Sequence, residues 1–387
     1  MLMVLPDYQG GSILNLMASI ESACGGNPPY LPLRALPPDE IAGARNLILL
    51  IIDGLGHERL ISGCAGGALH RHLRAKITSV FPSTTTTAIT TFLTGLAPQQ
   101  HGLTGWFTYF REIGSVAAVL PFHPRHGGRS YRDAGIEVGA LMGHKPFFDK
   151  IAVPSYVVSP EWIVHSDFNA AHSGRAQRRG YDTMDTMFRS IAGIVRESAE
   201  RKYIYAYYPG LDTLAHEYGI GSPRATTLLS RLDEAFERFL AEIGGSDSTV
   251  IVSADHGFID ASPGSQIELE DHPALAETLL LPLCGEPRAA YCYVHPEKTE
   301  QFETYVRSEL SAQAGLFKSR QLVEEGWFGP GEPHPRLLDR VGHYTLVMRE
   351  NYAIKDWLIG ESRYTHIGQH GGVSEAEMQV PLIVVQA

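Results

Sequence analysis

Asn46-Leu47-Ile48-Leu49-Leu50-Ile51-Ile52 is an unbroken apolar run, closed by Asp53-Gly54. A run of that length without alternation predicts a strand buried on both faces, with the aspartate at its carboxyl end. Two later stretches repeat the pattern. Tyr203 to Tyr208 leads to Asp212 and His216, and Thr249 to Ser253 leads to Asp255-His256. Val380 to Val385 is a predicted last strand, shortly after His370. Between strands the period lengthens: Leu228, Leu229, Leu232, Phe236, Phe239, Leu240 and Ile243 form a helical stripe, opened by Ser222-Pro223 and closed by Gly244-Gly245. Ser12 to Ile20 reads as a capped amphipathic helix. Strands alternating with helices predict an α/β fold, a mostly parallel central sheet with helices on both faces. In such sheets ligands gather outside the carboxyl ends of the strands, where three of these motifs fall.

Two long insertions interrupt the pattern, Trp106 to Asp185 and Ile259 to His366. The second holds a strand–helix–strand suggestion: Ala289 to Val294, Glu297 to Ser311, and His343 to Ile354. The expected division is a catalytic core of residues 1–258 and 364–387, with a small α+β cap insertion over 259–363.

Bulk composition narrows the partners. The 387 residues are 44% hydrophobic and 19% charged, ordinary for a globular chain with a large core. A net charge of −11 leaves no basic field to attract a nucleic-acid polymer. A small phosphorylated substrate stays compatible, because divalent ions in a carboxylate-rich pocket make a local positive site. Cys24, Cys64, Cys284 and Cys292 form no CxxC and predict reduced thiols rather than a disulfide framework. The start, from Met1 to Tyr8, has no basic segment ahead of an apolar stretch, and no apolar run reaches membrane-spanning length. A cytoplasmic protein with no membrane partner is the expectation.

Each chemical motif has an ordinary reading beside the interesting one. Asp-Gly after a strand is often only a turn. Asp212 and His216, four residues apart, share a helical face and can hold one ion, yet an N-cap aspartate with an unrelated histidine is equally compatible. Asp255-His256 needs a strand-end loop to aim both side chains at a metal. His370, between Gln369 and Gly371-Gly372, sits where a backbone can approach closely. The threonine run Thr84 to Thr87, behind Phe81-Pro82-Ser83, alone reads as a polar turn and cap. A helix starting there would turn its positive end toward an anion. His57 and His101 read as loop-packing residues, and His366 as the rival ligand to His370.

In this order the motifs resemble the alkaline phosphatase superfamily, and within it the type I phosphodiesterase/nucleotide pyrophosphatase family. The resemblance rests on Asp53-Gly54, Phe81-Pro82-Ser83-Thr84-Thr85, Thr94-Gly95-Leu96 with Pro98 and His101-Gly102, Asp212 with His216, Asp255-His256, and His370. It covers roughly residues 46–106, 200–258 and 364–387. It implies two divalent metal ions, zinc or else manganese, since aspartate and histidine accept both. It places one ion on Asp212, His216 and His370, the other on Asp53, Asp255, His256 and the Thr85 oxygen, with Thr85 the catalytic nucleophile. The sequence departs from the nucleotide pyrophosphatases at Ala88, where they commonly carry an asparagine on a phosphate oxygen; backbone N–H groups near Thr85 or Thr86 could substitute.

The implied chemistry is hydrolysis of a phosphodiester or pyrophosphate bond through a phosphothreonine intermediate, on a nucleotide-like substrate. Trp106, Tyr109 and Phe148 are the candidate substrate contacts, with Phe110, Phe147 and Trp162 as lesser ones. A diester is favoured because no arginine is identifiable near Thr85 to neutralise a monoester dianion. The alternatives are a phosphomonoesterase or phosphonate hydrolase of the same superfamily, for which His144-Lys145 is a faint hint, and a non-catalytic metal-binding protein.

Overall fold

The computed structural model describes residues 3–262, 264–363 and 365–387, so Met1, Leu2, Pro263 and Tyr364, the last being the first residue of the expected returning core segment, lie outside the described residues. Its centre is a seven-stranded sheet in the order Leu73–Thr78, Gln379–Gln386, Ser248–Ser253, Asn46–Ile52, Lys202–Tyr208, Ser155–Pro160, Gln177–Tyr181. Asn46–Ile52 pairs in parallel with the strands on either side of it. Gln379–Gln386 runs against both of its neighbours. The sheet is therefore mostly parallel, and helices flank it.

The apolar runs explain the centre. Every residue of Asn46–Ile52, Lys202–Tyr208 and Ser248–Ser253 is buried, which only a covered sheet permits. The register pairs Ile52 with Tyr208 and Ile51 with both Tyr207 and Ser253. The carboxyl ends of three strands therefore lie level, and the residues that follow them converge. Pro223–Ile243 forms the expected helix, with the Ser222 side chain accepting from the Ala225 N–H. The Ile13–Ala23 helix differs from expectation: it is buried almost all round, Asn15 and Glu21 included, rather than amphipathic.

A second seven-stranded sheet is antiparallel throughout, in the order Ala314–Lys318, Tyr344–Met348, Ala289–Cys292, Cys284–Glu286, Phe107–Phe110, Ser115–Ala118, His123–Pro124. Strands from both insertions build it, so residues 107–124, assigned to the core on sequence, pair with this cap sheet instead. Apolar side chains on Ala290, Cys292, Leu346 and Met348 pack with Phe302 and Val306 of the Thr299–Glu309 helix into a separate core. No helix among the described residues is long and apolar enough to cross a membrane.

Candidate metal and phosphoryl-transfer site

Two ligand-type clusters meet at the level strand ends. Asp53, Asp255 and His256 form one, and Asp212, His216 and His370 the other. In the first, His256 Nε2 lies 3.4 Å from Asp53 Oδ1 and 3.5 Å from Asp255 Oδ2. In the second, Asp212 Oδ1 lies 3.4 Å from His216 Nε2 and 3.9 Å from His370 Nε2. The His256 and His370 rings stack with centroids 3.7 Å apart, so the clusters abut. Asp212 and His216 sit on the Gly210–Tyr218 helix, and their spacing of four brings them to one face.

Local structure aims each group. Asp53 Oδ2 accepts from the buried Tyr207 hydroxyl, one strand over. Asp255 Oδ1 accepts from Gly54 N at 3.1 Å and His256 N at 3.0 Å. Gly54 has φ of +76°, and a Cβ there would meet the Phe258 ring at 2.4 Å, so the Asp53-Gly54 turn needs glycine. His256 Nδ1 lies 3.0 Å from Gly257 O and His216 Nδ1 2.9 Å from Gly368 O. Protons drawn to those carbonyls leave the Nε2 atoms as lone-pair donors toward the cluster centres.

The other oxygens are the telling ones. Asp53 Oδ1, Asp212 Oδ1 and Asp255 Oδ2 are buried and receive no hydrogen bond. Burial, then the neighbouring Asp212 and Asp255, pushes the Asp53 carboxyl well above the ordinary range. Burial also works against Asp212, but the neighbouring His216 outweighs it and holds that carboxyl low. His216 is raised: burial opposes its charge, and Asp212 prevails. Burial and the nearby His256 and His216 keep His370 neutral well below the usual imidazole range. Orphaned carboxylate oxygens facing bare imidazole nitrogens are what two divalent cations would satisfy, so the residues present fit such a pair.

Thr85 stands beside the buried cluster, its Oγ1 3.1 Å from His256 Nε2. It is the first residue of the Thr85–Thr94 helix, capped by Thr84, whose hydroxyl turns away to Glu286 instead of capping the helix. The amide N–H groups of the first turn therefore stay available at the positive end of the helix, ahead of Ala88, whose own N–H is bonded to Thr84 O at 2.9 Å.

A cavity of about 490 Å³ opens over Thr85, Asp212, His216 and His370. Its far wall comes from the cap: Trp106, Phe107, Glu286, Ile354, Lys355 and Trp357. Of the predicted substrate contacts only Trp106 lines it. Tyr109 packs on Tyr293 in the cap sheet, and Phe148 is fully buried against Tyr203 and Tyr205 in the core. Phe110 and Phe147 are also core residues, and Trp162 is 76% exposed. His366 lies with its ring 4.2 Å from that of His216 and lines the cavity without belonging to either cluster. His144 and Lys145 do not line it. His101 is buried, accepting from Leu103 N and reaching Thr91 Oγ1 at 3.3 Å, as a packing residue would.

Sequence reading missed Tyr207, Glu286, Lys355, Trp357 and Arg125. Tyr207 was findable, as one of alternating tyrosines in a strand ending beside Asp53. The cap residues carried no motif. Arg125 also lines the cavity, but its guanidinium is bonded to Glu361 at 3.0 Å, Asp356 at 2.8 Å and Leu283 O at 2.7 Å.

Known structures share this fold. Murine ectonucleotide pyrophosphatase/phosphodiesterase 5 superposes with a TM-score of 0.66 at 17% identity, covering 87% of each chain. An inactive form of that protein in complex with AMP gives 0.64 at 17% identity, again over 87% of each chain. Phosphonoacetate hydrolase from Sinorhizobium meliloti 1021, in complex with phosphonoformate, gives 0.61 at 18% identity over 88% of this chain and 90% of that one. At such identities the likeness is one of fold. No curated protein sequence matches significantly. The profile of the type I phosphodiesterase / nucleotide pyrophosphatase family matches residues 47–372. The chain thus belongs to that family of hydrolases, within the alkaline phosphatase superfamily.

Proposed function

We propose that this protein is a two-metal phosphodiesterase or nucleotide pyrophosphatase with Thr85 as nucleophile. The observation that carries the reading is the convergence of three orphaned carboxylate oxygens and three imidazole nitrogens beside the Thr85 hydroxyl. Asp53, Asp255 and His256 would hold one ion with the Thr85 oxygen; Asp212, His216 and His370 would hold the other. Bound divalent metal, zinc or manganese, supplies charge neutralisation and lowers the pKa of a nearby hydroxyl or water.

The chain's own groups do the rest. The rigid start of the Thr85–Thr94 helix fixes the attacking oxygen. Its first-turn amides face the phosphoryl oxygens in place of an asparagine at Ala88. Thr85 Oγ1 loses its proton and bonds to phosphorus as the ester oxygen leaves; water then cleaves the phosphothreonine. The Trp106 and Trp357 rings give the cavity apolar walls for the organic part of a nucleotide-like substrate. The AMP complex of the murine neighbour supports that substrate class.

The test is hydrolysis of bis-p-nitrophenyl phosphate by the metal-loaded protein. Thr85→Ala should lose roughly a thousandfold or more in kcat while keeping both metals. Undiminished turnover in that variant refutes the assignment, and bound metal with no turnover by the unmodified protein favours a binding protein. Lys355 on the cavity wall favours a second reading, a phosphonate hydrolase, since a lysine suits a substrate carboxylate. Phosphate release from phosphonoacetate exceeding diester turnover would select it.

A further inference from the structure

Outside the ligand set, the cavity is lined by Asp356 and Glu361, which pair with Arg125, and by Glu286, which pairs with no arginine and stands beside the proposed nucleophile's neighbour Thr84. Glu286 ends the Cys284–Glu286 strand of the cap sheet, is 6% exposed, and lines the cavity together with Thr85. Its Oε1 accepts from the Thr84 hydroxyl at 2.6 Å and from Trp106 N at 2.7 Å. Thr84 immediately precedes the proposed nucleophile. Those two donors favour the ionised form, but burial outweighs them and raises the carboxyl from 4.5 to about 7, so the group carries its charge above that pH. The strand is also pressed against the loop that carries His370: a Cβ on Gly371, whose φ is +107°, would meet Glu286 Cβ at 2.7 Å. The carboxylate is thus built in from both sides. It cannot swing away without breaking the contacts that join cap to core.

Above about pH 7, where the carboxyl is ionised, a negative charge held at this place treats substrates unequally. A phosphodiester carries one negative charge at neutral pH and a phosphomonoester carries two, so the repulsion roughly doubles for the monoester in a partly desolvated cavity. The same oxygen engages the Thr84 hydroxyl, taking away a donor that could have faced a third phosphoryl oxygen.

We propose that Glu286 is a specificity-determining residue that admits singly charged diesters and turns away doubly charged monoesters. This deepens the reading of the site as a diesterase, and it rests on that reading. A purely structural carboxylate would affect both substrates alike.

Glu286→Gln keeps an acceptor for Thr84 and Trp106 and removes the charge. Measured at about pH 8, where Glu286 is ionised and the monoester is a dianion, its kcat/KM for p-nitrophenyl phosphate should rise about tenfold or more over the unmodified protein. Its value for bis-p-nitrophenyl phosphate should stay within about threefold. Glu286→Asp, which keeps the charge, should keep the original preference. A ratio unchanged in Glu286→Gln, or a monoester gain in Glu286→Asp as large as in Glu286→Gln, overturns the proposal. Binding gives a readout independent of turnover: on a Thr85→Ala background, Glu286→Gln should tighten inorganic phosphate about tenfold and bis-p-nitrophenyl phosphate by no more than about threefold. If that shift appears while the unmodified protein hydrolyses no diester, the catalytic reading fails and the charge filter stands. If diester turnover is present and phosphate binding does not tighten, only the charge filter fails.

Discussion

The cavity has two walls of different origin. One grows from the carboxyl ends of the central sheet and presents Thr85, Asp212, His216 and His370, with Asp53, Asp255 and His256 buried beside them. The other is the edge of the cap sheet and the chain after it, presenting Glu286, Lys355 and Trp357. In the core, Asp53 and Asp255 each have one oxygen hydrogen-bonded and one left for a cation, and Asp212 Oδ1 is buried without a hydrogen bond. On the cap wall, charges are offset by protein: Glu286 by Thr84 and Trp106, Arg125 by Glu361 and Asp356. Under the proposed function the core wall carries the chemistry and the cap wall chooses what reaches it.

That division leads first to the ligands. His256 belongs to the enclosed cluster, is fully buried and stands beside Thr85. His256→Ala should remove one ion and cut kcat for a diester by roughly a thousandfold or more, with binding of substrate to the cap wall far less affected. Metal stoichiometry with steady-state kinetics checks both halves. A variant that loses KM and keeps kcat would erase the contrast between the walls.

Tyr207 tests how far the core wall extends. Its hydroxyl is the donor to Asp53 Oδ2 and has no place in the cavity lining. Tyr207→Phe leaves the ligand set whole but frees Asp53 to rotate. Metal affinity at the enclosed site should fall about 10- to 100-fold, with activity recovered at high metal concentration. Unchanged affinity by titration would show that the aspartate is positioned by packing alone.

The same contrast explains what could be read from the chain. Strands such as Asn46–Ile52 announce themselves by unbroken apolar runs, and the ligands follow within a few residues, so their convergence was legible from order alone. Parallel pairing in register did the rest, bringing Ile51 beside both Tyr207 and Ser253. The cap wall was not legible, because its residues meet only through pairing between distant insertions. Phe107 pairs with Gly285, a partner nearly half the chain away, and no local pattern specifies that. Aromatic content misled for the same reason. Phe148 and Trp106 look alike in sequence, yet one fills the core against Tyr203 and the other faces the cavity.

Lys355 gives the smallest and most delicate test of the comparison. It is 8% exposed on the cap wall, with its ammonium 5.6 Å from the Trp357 ring centre. Burial drives its pKa from 10.5 down to about 8, against the pull of Glu268 and Glu286. Below pH 8 the lysine is charged in both folded and unfolded chains, and the folded state carries the whole desolvation cost. Between pH 8 and 10.5 the folded lysine is neutral while the unfolded one still binds its proton, so the cost fades as pH rises. Lys355→Met should therefore stabilise the protein by on the order of 2 kcal/mol at neutral pH. The gain, a few degrees in Tm, should shrink toward zero by about pH 10.5. Thermal melts of the two proteins across that range decide it. A Lys355→Met protein that melts at or below the unmodified one at pH 7 would mean the lysine is part of the cap's own scaffold. A gain that vanishes on schedule would mean the cap wall keeps a cation at a cost in stability, which makes sense only if substrate meets it there.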